Sequence, residues 1–237
     1  PCPIEVMKQV IEKMHMDEVT ICYGMTETSP VSTQTVAGDS LEKRTQTVGR
    51  VHPHLEVKLV DPATGDTVER GEPGELCTRG YSVMAGYWNE PEKTADAVDE
   101  HGWMHTGDLA TMDDDGYLNI VGRSKDMVIR GGENVYPREV EEFLYGHPDV
   151  ADVQVVGVPD ARYGEELMAW IVPRGGASID RDAIAEFCDG KIARHKVPRY
   201  VATVDEFPMT VTGKVQKYKL RDMAIEQLGL EDAAAIE

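Results

Sequence analysis

The sequence predicts a protein of mixed α/β and α+β class built in two parts, and three observations carry that expectation. Between about residues 48 and 121, short alternating segments separated by turn clusters read as a string of antiparallel strands. After Asp126 the rhythm changes to helices and strands in mixed order, a compact α+β pattern of roughly 110 residues and so of ordinary domain size. Between the two parts, Ser124-Lys125-Asp126 offers little apolar surface to lock its flanks together, so the run reads as a joint. The expected division is 1–124 and 125–237, with a helix-and-sheet edge over 1–45, a barrel-like strand region over 46–121 and a hinge at Lys125.

Each element has a local reason. Ile4, Met7, Ile11 and Met14 fall on one face at helical spacing, and the apolar stretch at 19–23 reads as a buried strand that stops at Gly24. Leu55-Glu56-Val57-Lys58-Leu59 alternates as a half-buried strand does. Asp61-Pro62-Ala63-Thr64-Gly65-Asp66 and Asp113-Asp114-Asp115-Gly116 supply turn chemistry, and several such strands suggest a small barrel or sandwich. In the second part a strand at 127–130 precedes a helix opened by Pro137, which carries Val140, Phe143 and Leu144 on one face and breaks at Gly146-His147-Pro148. Strands at 153–158 and 167–172 follow, then a helix near 179–193 capped by Ser178 or Asp180, and a strand at 200–204. A last helix carries Leu220, Met223, Ala224 and Leu228.

Composition narrows the chemistry. The chain of 237 residues is 41% hydrophobic and 28% charged, and its formal charge of −19 repels phosphate backbones and anionic lipid surfaces. Nucleic acid is therefore not an expected partner, no apolar run reaches membrane-spanning length, and small-molecule chemistry is the better expectation. Cys2, Cys22, Cys77 and Cys188 are far apart with apolar flanks, which reads as buried thiols in a reducing, cytoplasmic compartment without zinc. His101, His105 and His147 lie outside any metal-ligand spacing. The first residue is Pro1 rather than methionine, so the natural N-terminus is expected to lie upstream, where a targeting signal stays open.

Several segments carry chemistry beyond packing. Tyr23-Gly24-Met25-Thr26-Glu27-Thr28-Ser29-Pro30 follows a strand directly, where α/β sheets present ligands. Tyr23 offers a ring to a base, Gly24 a close backbone approach, Thr26 a hydroxyl to phosphate and Glu27 a carboxylate to Mg²⁺. The same residues also suit an ordinary turn. Asp108, just past Thr106-Gly107, could accept from two vicinal ribose hydroxyls or could close its own turn. Arg123 offers a rigid fork of donors to ribose or phosphate, or is a surface charge balanced by Asp126. Gly131-Gly132 after a strand weakens pairing unless something must approach the backbone, such as substrate in a narrow channel. Lys214, on the loop from Pro208 to Lys217 with Lys217 and Lys219 nearby, could reach phosphate or lie solvated before a helix.

Taken together and in this order, these segments resemble the adenylate-forming superfamily of acyl-CoA synthetases, firefly-type luciferases and peptide-synthetase adenylation domains. The likeness spans nearly the whole chain. The run from Val121 to Glu141, with Gly80-Tyr81-Ser82-Val83-Met84-Ala85-Gly86-Tyr87-Trp88 and Val153-Gln154-Val155-Val156-Gly157-Val158, looks most like medium-chain fatty acyl-CoA synthetases of the family-member-2 type. The resemblance implies a fatty acid or other small carboxylate activated by ATP with Mg²⁺ to an acyl-adenylate, then passed to coenzyme A. By position it implies Tyr23 on adenine, Gly24 and Thr26 at the nucleotide, Glu27 on Mg²⁺, and Asp108 and Arg123 on ribose. Lys125 would be the hinge, Lys214 the catalytic cation of adenylation, and Gly131, Gly132 and Glu133 the loop of the coenzyme A channel.

The departure from that pattern is the missing phosphate loop. Pro1-Cys2-Pro3 resembles the end of the family's adenine loop, so the chain is expected to be the C-terminal part of a longer enzyme and inactive alone. Its first 36 residues would lack the sheet they pack against, leaving an edge prone to aggregation. Three other readings remain at this point: a peptide-synthetase adenylation domain, a luciferase-like oxygenase and a non-catalytic nucleotide-binding module. The first is expected to continue into a carrier domain with a phosphopantetheine serine; against the last, Glu27, Asp108, Arg123 and Lys214 are all present.

Overall fold

A computed structural model describes residues 4–211 and 213–231. The expectations placed on Pro1 to Pro3, on Thr212 and on Ala233 to Glu237 lie outside the described residues. The chain divides into two compact units between Ser124 and Lys125.

The first unit opens with helix α1 (Ile4–Met14), followed by strand β1 (Cys22–Tyr23), strand β2 (Thr33–Gln34), helix α2 (Leu41–Gln46) and strand β3 (Arg50–Val51). The three short strands form one antiparallel sheet in the order β1-β2-β3. Ser40 caps α2 by accepting from the Lys43 N–H, which satisfies one of the donors a helix start leaves open. Strands β4 (Leu55–Val60) and β5 (Gly74–Gly80) come next, then helix α3 (Pro91–Ala97) and strands β6 (Met104–Met112) and β7 (Leu118–Arg123).

Strands β4 to β7 pair in sequence order as an antiparallel sheet. The expected strand-rich region is therefore present as an open meander, neither barrel nor sandwich. Four strands are too few to close on themselves around a core, and β4 does not pair with β7. The inward face is filled instead by other parts of the unit: Met7 from α1 and Ile21 pack with Val48, Leu59, Leu76, Ala110, Leu118 and Ile120. The Val48 N–H donates to the Leu118 carbonyl at 2.8 Å and the Leu118 N–H to the Gly49 carbonyl at 2.9 Å, which ties the small sheet to the meander.

The strand expected over 19–23 is only two residues long, and Cys22 is exposed rather than buried. Alternation explains the correction: Ile21 and Tyr23 turn toward the apolar cluster, so the side chain between them turns away. Cys77 and Cys188 are buried, as their apolar flanks suggest.

The second unit runs β8 (Val128–Arg130), β9 (Glu133–Val135), α4 (Pro137–Leu144), β10 (Val150–Asp160), β11 (Gly164–Pro173), α5 (Arg181–Cys188), β12 (Tyr200–Thr203) and α6 (Lys217–Leu228). β11 is the centre of its sheet. It pairs along its length with β10, at its start with β8, and in parallel with β12. Strict alternation sends Val153, Val155, Leu167, Ala169 and Ile171 to one face, against Val140 and Leu144 of α4 and Ile184 and Cys188 of α5. It sends Val156, Val158, Met168 and Trp170 to the other, against Leu220 and Ala224 of α6. Burial on both faces is why these strands read as near-continuous apolar runs.

Local details differ where caps decide them. Pro137 takes the first turn of α4, and Asp180 rather than Ser178 caps α5 by accepting from the Ala183 N–H at 2.9 Å. The α5 helix ends at Cys188, short of 193, and Met223 of α6 is exposed rather than packed. No helix among the described residues is long and apolar enough to cross a membrane.

Candidate active site

Three of the sequence-predicted residues meet in the first unit. Asp108 and Arg123 are directly opposite in the β6–β7 register, and the Arg123 Nε donates to Asp108 Oδ1 at 3.2 Å. Tyr23, at the end of β1, donates its hydroxyl to Asp108 Oδ2 at 2.7 Å. Burial first, and then the Asp108 charge, raises the Tyr23 phenol well above its ordinary value, so the hydroxyl stays a donor. Each oxygen of Asp108 accepts one of these bonds, and each keeps a lone pair that a ribose hydroxyl could use. The Arg123 side chain is half exposed and, among the described residues, its two terminal nitrogens have no partner. That fork is available to a ligand.

Gly24 is required by the fold of this loop. A Cβ built there would lie 1.8 Å from the Pro30 carbonyl oxygen, so the close approach the sequence suggested is first an approach of the chain to itself. Thr26 to Thr28 make one 3₁₀ turn, closed by the Thr28 N–H donating to the Met25 carbonyl at 3.0 Å, with Thr28 buried and Thr26 exposed. Among the described residues Glu27 makes no hydrogen bond with Asp108. Its Oε1 accepts from the Tyr87 hydroxyl at 2.8 Å, and its carbonyl accepts from the Met84 N–H at 2.8 Å, which fastens the turn to the Gly80–Trp88 segment. Among the described residues no donor reaches Glu27 Oε2, so one carboxylate oxygen is open to a cation.

Lys125 is exposed in a 3₁₀ turn, Ser124–Asp126, at the boundary of the two units. In the second unit Gly131 and Gly132 form the two-residue turn of the β8–β9 hairpin, with φ of +62° and +87°. Positive φ at both positions is the geometry of a type I′ turn, which accounts for the glycine pair without any ligand. The Gly131 N–H donates to the Tyr163 carbonyl at 2.8 Å, and Arg130 at the hairpin base donates to the carbonyls of His195 and Val197 and to Glu166. Gly132 faces open space and Glu133 is exposed.

Lys214 is exposed on a tight loop in which the Thr210 N–H donates to its carbonyl at 2.8 Å and its own N–H donates to Thr210 Oγ1 at 3.0 Å. Lys217 separates from it: its ammonium is bound to Glu141 Oε1 at 2.6 Å and the Val155 carbonyl at 3.2 Å, so it braces the fold.

Sequence spacing missed Tyr87 and a second grouping. Glu75, Cys77 and His105 bring one ligand atom each within 4.8 Å of one another. His105, expected outside any such grouping, lies opposite Cys77 in the β5–β6 register, with Nδ1 at 3.5 Å from the sulfur and 2.9 Å from Glu75 Oε2. The i, i+2 spacing of Glu75 and Cys77 on one strand face was the legible half of that signal; the strand partner was not.

Comparison with known proteins decides the family. The AMP-binding enzyme model matches residues 1–88, and the model of the AMP-binding enzyme C-terminal domain matches residues 139–214. The chain belongs to the AMP-binding enzymes. Among relatives of this AMP-binding chain, the candidate acyl-CoA synthetase YngI of Bacillus subtilis (strain 168) is 59% identical over 98% of the chain and 42% of its own length. The mitochondrial medium-chain acyl-CoA ligase ACSF2 of Bos taurus is 49% identical over 97% of the chain and 37% of its length. The o-succinylbenzoate CoA synthetase MenE of Bacillus subtilis, solved with the acyl-adenylate intermediate OSB-AMP, superposes with a TM-score of 0.83 at 30% identity, over 93% of this chain and 44% of that one. The AMP-binding chain thus spans about two fifths of the length of these relatives.

Proposed function

We propose that the full-length protein is an AMP-forming acid–thiol ligase acting on a fatty acid or related carboxylate. In the first step a carboxylate oxygen bonds to the α-phosphorus of ATP while that phosphorus loses its bond to the bridging oxygen, and pyrophosphate leaves. In the second the coenzyme A sulfur, having given up its proton, bonds to the acyl carbon, and AMP departs with the oxygen it gained.

The observation that carries this reading is the convergence of Tyr23 and Arg123 on Asp108 from separate segments. Asp108 accepts from the ribose hydroxyls, held in place by the two donors it already has, and the free fork of Arg123 binds alongside. Tyr23 presents its ring to adenine, and Gly24 and Thr26 line the phosphate side. Mg²⁺, held by Glu27 with Tyr87 fixing the carboxylate, would neutralise charge on the phosphates. Lys214 stabilises negative charge on the α-phosphate during adenylation. The second unit turns about Lys125, withdraws Lys214 and brings the Gly131-Gly132-Glu133 hairpin to line the coenzyme A channel. Separating the two loops in time suits the chemistry, because a lysine parked over the adenylate would obstruct the thiol. The same reading places the enzyme in a reducing, cytoplasmic setting.

Exchange of labelled pyrophosphate into ATP by the full-length protein, run against a ladder of carboxylic acids, tests the reading. Exchange driven by fatty acids supports it. Nucleotide binding with no exchange for any carboxylate would replace it with a non-catalytic binding module.

A further inference from the structure

The strand that presents Asp108 is not regular. β5 and β6 pair at Thr78↔Met104 and Cys77↔His105, lose register, and regain it at Glu75↔Leu109. Opposite the single residue Leu76, β6 therefore fits Thr106, Gly107 and Asp108, with Gly107 at φ +70°. β7 pairs with β6 at Asp108, but on the β5 side the bulge has no ladder partner of its own, and Glu75 supplies the substitute. Its Oε1 accepts from the Gly107 N–H at 3.0 Å and its Oε2 pairs with His105 Nδ1 at 2.9 Å, so one carboxylate grips the chain on both sides of Thr106. Thr106 completes the brace, donating its hydroxyl to the Leu76 carbonyl at 2.7 Å and accepting from the Asp108 N–H at 3.2 Å.

We propose that Glu75 is a positioning residue for nucleotide binding, fixing the Thr106–Gly107 bulge and so the direction from which Asp108 meets the ribose. This rests on the reading of Asp108 as the ribose ligand. A carboxylate that must accept from two vicinal hydroxyls tolerates displacement of about half an ångström, and Glu75 is the side chain that holds Gly107 and His105 on the β5 side of the bulge. Strand pairing alone does not need the charge, since the side chain of Glu75 is 15% exposed and pays desolvation to stay there. A cation held by Glu75, Cys77 and His105 is the rival use of the same atoms. It would compete for the bond between His105 Nδ1 and Glu75 Oε2, which the brace keeps intact.

Titration of AMP into the full-length enzyme, with steady-state kinetics beside it, tests the proposal. Glu75→Ala is expected to weaken AMP binding and raise the KM for ATP about tenfold or more, with the KM for the carboxylic acid unchanged within about twofold. Glu75→Gln, which keeps an acceptor for the Gly107 N–H, is expected to recover most of the loss. Where Glu75→Ala does not fold, Glu75→Asp, too short to reach both partners, takes its place with the same expectation. A variant that loses thermal stability but binds AMP as the wild type does would overturn the proposal. So would stoichiometric zinc in the purified wild type together with a thiolate-to-Co²⁺ charge-transfer band abolished by Cys77→Ser. Wild-type protein that binds no AMP would overturn the reading of the site itself, and the proposal with it.

Discussion

The Tyr23 hydroxyl donates to Asp108 Oδ2 at 2.7 Å although the two residues lie eighty-five positions apart. The bond joins the end of β1 to the bulge of β6, so the proposed adenine and ribose contacts are tied to one another. Arg123, paired across from Asp108, makes it a cluster of three.

Removing the hydroxyl should loosen that piece without dismantling it. Tyr23→Phe leaves Asp108 with one donor and is expected to weaken AMP binding about threefold to tenfold and to cost about 1 kcal/mol of stability. Because the folded protein holds the Tyr23 phenol above its unfolded value, the stability tied to this proton is fully present below about pH 10 and is lost as pH rises beyond it. Urea midpoints at neutral and strongly alkaline pH check both points, with Tyr23→Phe losing less than wild type at the alkaline end.

Gly24→Ala should be far more damaging than its size suggests. The new methyl would meet the Pro30 carbonyl at 1.8 Å, and only a backbone shift relieves it. The expected cost is about 2 kcal/mol or more, read as a lowered melting temperature, together with weaker AMP binding because Tyr23 is the preceding residue.

The buried thiols should be silent. Burial, helped by Glu75, pushes the Cys77 thiol up to about 12, and burial also raises Cys188. Iodoacetamide near pH 8 is expected to leave both unmodified in the native protein and to label both after denaturation, with peptide mass spectrometry as the readout. Since the folded thiol of Cys77 titrates above its unfolded value, its contribution to stability is intact below about pH 8.5 and declines as pH climbs toward 12.

Two neighbouring lysines should behave in opposite ways. Lys217 and Glu141 form an ion pair whose side chains are 23% and 11% exposed, so Lys217→Ala leaves the carboxylate without its counter-charge, held by the Val155 N–H, and is expected to cost about 2 to 3 kcal/mol. Lys214 is exposed, so Lys214→Ala should leave the melting temperature within about a degree of wild type.

Much of this architecture was legible because the sequence speaks in periods. The apolar runs at 153–158 and 167–172 marked the two long strands of the second sheet, and Pro137 marked where α4 begins. The meander was legible strand by strand, but its openness was not, because closure depends on which strands pair and alternation says only which way they face. Cys22 misled for a related reason: apolar neighbours on a strand point to the opposite side. At the site, residue types were legible and partnerships were not. Nothing in the spacing of Asp108 and Arg123 shows that they are cross-strand partners, and nothing about Glu75 or His105 shows that a bulge brings them together. The glycine pair at 131 and 132 reads from sequence as room for a ligand, whereas the hairpin already requires both positive φ values.

The two half-reactions of Lys214→Ala in the full-length enzyme test the central claim most directly. Pyrophosphate exchange is expected to fall by about a hundredfold or more, while thioester formation from preformed acyl-adenylate and coenzyme A stays within about fivefold of wild type. Equal loss of both would contradict a site that takes Lys214 for one step and the Gly131–Gly132 hairpin for the other.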